Sequence, residues 1–121
     1  EVAHHLTNTT LDDEYIGVRV VAVRHFEKYH DTSSLIQALY NSAPEVRRIA
    51  AWYTGKQRVA ESGPSLLQRL YEETDTEALR AIIWSLGVLR LDEAKSVLET
   101  MQNHSEPSIR LQAQETLAKF T

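Results

Sequence analysis

Two tryptophans, Trp52 and Trp84, stand 32 residues apart, and each follows an arginine by four places, Arg48 and Arg80. Lys56 follows Trp52 by four more. Steps of four place side chains on one face of a helix. A broad aromatic plane beside a guanidinium covers apolar surface and holds an anion at the same time, and these two residue types are the most enriched at binding hot spots. Arg24 holds the tryptophan's place in an earlier helix and Glu115 in a later one. The expectation is a ridge of Arg24, Arg48, Trp52, Lys56, Arg80 and Trp84 that binds an acidic or phosphorylated peptide, or an acidic helix of a partner. The competing reading lays each tryptophan flat over its neighbouring helix, with its stem packed and its ring edge wet.

Other chemistry finds little to stand on. His4 and His5 are adjacent, His25 and His30 lie five apart, and His104 is alone in a loop, so none of them shares a helix face. Glu27 and His30 are three apart, but two ligands without a third do not make a metal site. There is no cysteine, which removes thiolate ligands, disulfides and cysteine nucleophiles. No Ser-His-Asp set, glycine-rich phosphate loop or nucleophile elbow emerges. Asp12, Asp13, Glu14, Glu72 and Glu73 fall at helix starts and ends and read as caps and solvated charge. No enzyme activity, cofactor or metal is therefore expected.

The elements that must carry the ridge announce themselves as repeats. Leu35-Ile36-Gln37-Ala38-Leu39-Tyr40 recurs as Leu66-Leu67-Gln68-Arg69-Leu70-Tyr71 and, worn, as Val97-Leu98-Glu99-Thr100-Met101-Gln102, with Leu35, Leu66 and Val97 spaced 31 and 31. Such a period marks stacked helix pairs in which no repeat buries its apolar face alone. Short helices are expected over 32–41, 63–73 and 92–103, with Asp92 capping the third. Residues 1–9 form at most a short helix, a degraded first copy.

Between these lie longer helices with apolar stripes at helical period. The stripes run Val18-Ala22-Phe26-Tyr29, Val46-Ala50, Ala78-Ile82-Leu86-Leu89 and Ile109-Ala113-Leu117-Phe120. Ser42 with Glu45 and Thr74 with Glu77 read as capping boxes, Thr10 with Asp13 as a cap, and Ser105 with Pro107 opens the last helix. Gly55 is expected to weaken its helix or end it early. The fold expected is all-α, a right-handed α-α superhelix or solenoid of about 3.5 antiparallel helix pairs in a single domain over 1–121, or a segment of a longer array.

Composition agrees. Hydrophobic content is 42% and charged content 25%, with four glycines and three prolines. The net charge of -4 argues against general nucleic-acid or anionic-membrane binding. No apolar run reaches the length of a membrane span. The compartment stays open, with the cytoplasm slightly favoured.

Pro44-Glu45-Val46-Arg47-Arg48-Ile49-Ala50-Ala51, Glu77-Ala78-Leu79-Arg80-Ala81-Ile82-Ile83-Trp84-Ser85-Leu86-Gly87 and Pro107-Ser108-Ile109-Arg110 resemble the second, or B, helix of HEAT-like repeats. The variety is that of the bilin-lyase (phycobilisome-lyase) proteins, and the Leu-Leu-x-x-Leu copies resemble its A helix. The resemblance implies that B helices line the concave side. It also implies that the arginine after each lead residue (Arg19, Arg47 and Arg110 here) pairs with acids of neighbouring turns, a ladder that Leu79 interrupts. The resemblance leaves function broad. The reading favoured is a non-catalytic protein-interaction scaffold with contacts on the B-helix face. Nucleic-acid or phosphate-ligand binding on the same Arg/Trp face is an alternative, and a lyase-like enzyme subunit or chromophore chaperone another. The chain starts on a failing half-repeat and stops without a polar capping helix, so packing through its ends, as a homo-oligomer or within a longer chain, is also expected.

Overall fold

The structure, a computed structural model, describes residues 32–120. Among them are six α-helices and no strand: α1 Thr32–Ala38, α2 Pro44–Lys56, α3 Gly63–Glu72, α4 Thr76–Leu89, α5 Lys95–Met101 and α6 Pro107–Leu117. Turns of 3-10 helix, Ala60–Ser62 and Asp92–Ala94, lead into α3 and α5, and Ala118–Phe120 continues α6. Helix α1 packs on α2, α3 on α4 and α5 on α6, while α2 packs on α4 and α4 on α6. Short and long helices thus alternate in an all-α solenoid, with three pairs among the described residues. The expected elements before Thr32, Arg24 and Arg19 with them, lie outside the described residues.

The core lies between the two rows. Leu35, Leu66, Leu70 and Leu98 project from the short helices, Leu39 from the turn after α1, and Val46, Ala50, Ile82, Leu86 and Ile109 from the long helices, all buried. In α5 the buried position is Leu98, with Val97 only half-buried. The repeat therefore steps 31 residues from Leu35 to Leu66 and 32 to Leu98. Ala94, 32 residues after the buried Ser62, keeps the same register.

The long helices meet through small residues. Gly55 lies against Ser85, where an added Cβ would come within 2.9 Å of the Ser85 Cα. One repeat on, Gly87 lies against Thr116, whose Cγ2 would be 2.6 Å from such a Cβ. The Ser85 hydroxyl donates to the Ala51 carbonyl across the same seam. Gly55 stands one residue before the end of α2 at Lys56, and it is buried where the next helix needs the room.

Helices α2 and α4 end with the same pair of bonds. Arg58 N–H bonds the Gly55 carbonyl and Val59 N–H the Thr54 carbonyl; Arg90 and Leu91 do the same to Gly87 and Leu86. This pair of bonds is the Schellman ending, which places its turn residue in the left-handed region. Arg58 (φ 53°) and Arg90 (φ 52°) occupy it, where glycine is the usual residue.

The helix starts also differ from the expected capping boxes. Helix α2 is capped at Ala43 and α4 at Asp75, not at Ser42 and Thr74. Pro44 forces the residue before it into extended backbone, which makes Ala43 the cap. Asp75 is a better acceptor than Thr74 and takes the Ala78 N–H at 3.0 Å. Asp92 makes no cap, since it is the first residue of a 3-10 turn with no side-chain bond.

Gly55→Ala should therefore destabilise the chain by about 1–3 kcal/mol, although alanine favours a helix interior by roughly 1 kcal/mol. Gly87→Ala should cost less, because a side-chain methyl rather than backbone must give way. Arg90→Gly should do the reverse and stabilise by about 0.5–1 kcal/mol, since the left-handed conformation costs a side-chain-bearing residue about that much net. Urea unfolding followed by circular dichroism measures all three.

Candidate functional site

The ridge residues come from the same positions of α2 and α4, and two devices align those helices. At the far end sits the Gly55–Ser85 seam. At the near end Arg47, from the first turn of α2, reaches Glu73 in the loop before α4, with Nε and Nη2 donating at 2.8 and 2.9 Å. Arg69 donates to the same carboxylate at 3.1 Å. Glu73 in turn accepts from the backbone N–H groups of Thr74 and Asp75, at 3.2 and 3.0 Å, and so shapes the start of α4. Its side chain is 0% exposed. The sequence reading as solvated charge is thus corrected for Glu73. Two arginines and two amides replace the water it gives up.

Arg47 also donates through Nη1 to the Asn41 and Ser42 carbonyls. Arg110 repeats this on His104 and Ser105. The side chains of Asn41, Glu73 and His104 each accept the N–H of the residue two places on, at the start of a long helix. His104 is accordingly a capping histidine. At Leu79, where the resemblance implied a broken ladder, the side chain is buried in the core instead.

Between the two devices Trp52 and Trp84 stack, ring centroids 6.2 Å apart and planes inclined by 17°. Tyr53 meets Trp52 edge-on at 4.9 Å. Trp52 stays 38% exposed while Trp84 is half-buried. Lys56 Nζ lies 4.6 Å from the Trp52 centroid, and Lys119 Nζ, from the turn after α6, lies 5.8 Å from that of Trp84. Such cation–π contacts hold ammonium groups beside the rings.

A shallow cleft of about 240 Å³ opens beside the stack, lined by Arg48, Trp52, Arg80 and Trp84. Glu77, Ala81 and Gln112 complete its wall. Arg48, half-buried, has no hydrogen bond or ion pair among the described residues. Arg80, half-buried, pairs with the exposed Glu77 one turn earlier at 3.2 Å, and its buried Nε has no hydrogen-bond partner among the described residues. The structure thus gathers Arg48, Trp52, Arg80 and Trp84 around one cleft, with Lys56 against its Trp52 wall. Sequence reasoning missed Glu77 and Gln112. Glu77 carried its own signal: it lies three residues before Arg80, the spacing of a helical ion pair.

Residues 32–118 match the family model for HEAT repeats, which is most of the chain. The chain belongs to the HEAT repeat family. No curated protein matches it. Repeats of this family commonly mediate protein interactions, which agrees with a scaffold role. Among the described residues of this HEAT array, no helix is long and apolar enough to cross a membrane.

The buried carboxylate makes array stability depend on acid. Burial alone would raise the Glu73 pKa, but the Arg47 hydrogen bond, the Asp75 amide and Arg69 together hold it below the usual glutamate value. Arg47 is raised in turn, first by its hydrogen bond to Glu73, against burial. For a lowered carboxylate, the stabilisation is complete above the unfolded-state pKa of about 4.3 and is lost as pH falls through the lower folded value. The urea midpoint should thus drop steeply below about pH 4. In Glu73→Gln it should start lower at neutral pH and fall less on acidification.

Proposed function

We propose that this HEAT repeat chain is a non-catalytic binding scaffold that holds an acidic segment of a protein partner on the face formed by α2 and α4. The observation that supports this reading most directly is the stacked Trp52–Trp84 pair, with Trp52 exposed beside Arg48, which has no partner among the described residues. An exposed indole next to an unpaired guanidinium is the composition of an interface hot spot. Lys56, Lys119 and Arg80 add positive charge to the same surface of a chain whose net charge is -4. Attraction there is local rather than global, which favours a short acidic stretch over a polyanion.

The packing alternative is separable from this reading. If Trp52 only shields the seam, its removal weakens the fold; if it carries contacts, its removal weakens binding. Trp52→Ala should cost only about 1–2 kcal/mol, because the ring is part-exposed and loses chiefly its contacts with Trp84 and Tyr53. Trp52→Ala and Arg48→Glu should each weaken binding of a glutamate-rich peptide by about tenfold or more. Calorimetric titration beside a thermal melt measures both. A large fall in melting temperature for Trp52→Ala with unchanged peptide affinity would reverse the assignment.

A further inference from the structure

The cleft already holds one carboxylate, and it is the protein's own. Glu77 lies in the first turn of α4 and engages Arg80 Nη1 with both oxygens, at 3.2 and 3.5 Å. Among the described residues it is the only acid in the wall, opposed by Arg48 and Arg80 in the wall itself and by Lys56 and Lys119 on the tryptophans. Its side chain is 62% exposed, so no packing holds it in place. The positive end of the α4 dipole would favour an anion at this spot whether it came from the chain or from outside.

We propose that Glu77 is a built-in stand-in for the ligand: it occupies Arg80 and is displaced when a carboxylate of an acidic partner segment arrives. This rests on the reading of the cleft as an acidic-segment site and adds its internal competitor. The incoming carboxylate takes the Arg80 Nη1 that Glu77 vacates and reaches Arg48 across the cleft. The neighbouring side chain of the segment covers the open face of Trp52. Because the competing pair is exposed and short in sequence, it is weak. It sets a threshold for binding without closing the site.

The consequence is a gain of affinity from removing a charge. Glu77→Gln should tighten binding of a short, end-blocked peptide of alternating glutamate and leucine by about three- to tenfold, as both the competition and the like-charge repulsion disappear. The matched control is Glu45→Gln. Glu45 holds the same first-turn position in α2, 32 residues earlier, and changes net charge equally, but it does not line the cleft. Calorimetric titrations of the wild type and both variants, with the glutamine–leucine peptide as a blank, decide the matter. Tightening in Glu77→Gln alone supports the proposal. Equal tightening in both variants reduces it to bulk charge and overturns it. Wild-type binding with no gain in Glu77→Gln overturns the competitor while leaving the acidic-segment site intact. No binding by any of the three overturns both readings. Binding of a phosphoserine peptide or a single-stranded oligonucleotide in place of the glutamate peptide overturns the acidic-peptide occupant.

Discussion

The arrangement depends on how closely α4 can approach α2, and a missing side chain sets that distance. Where Gly55 faces Ser85, the helices have given up every atom that would hold them apart, and a hydroxyl from one bonds a carbonyl of the other. Interiors pack densely enough that one methyl group decides such a distance. The tryptophans, each three residues before a glycine of the seam, inherit the approach and lie in stacking range. Wider spacing would leave two separate aromatic side chains in place of one continuous surface.

The opposite end of the seam is held by charge. Arg47 and Glu73 join one repeat to the loop that begins the next, and that loop also caps α4. Steric fit at one end and a buried ion pair at the other give the helix pair two points of alignment of different physical character. A solenoid is stabilised mainly by contacts between neighbours, so this double attachment carries the order of the array past α4. The third repeat keeps the seam through Gly87 and Thr116, while Arg110 keeps only its carbonyl contacts.

Period, helix type and the shared face of Arg48, Trp52, Arg80 and Trp84 were legible in the sequence because they follow from spacing alone. What escaped it depends on neighbours in space. Gly55 reads as a helix breaker until the helix it accommodates is known. Glu73 reads as a surface acid because only Arg69, four residues before it, is local, while Arg47 arrives from α2, 26 residues away in sequence. The caps moved by one residue because Pro44 restricts Ala43 and because Asp75 outcompetes Thr74. In α5 the motif matched by residue type at Val97 while burial chose Leu98, since both are aliphatic and only the register of the preceding turn separates them. Glu77 reads as a cap, because its place in the cleft depends on Arg48 and Trp52 of the neighbouring repeat.

The chain has only two tryptophans, and both belong to the stacked pair. Every photon of indole emission therefore originates at one junction between repeats, and the near-parallel rings form a coupled chromophore whose circular-dichroism couplet depends on their separation and tilt. Changes in how the second long helix rides on the first are thereby written into the ultraviolet spectrum of the unlabelled protein.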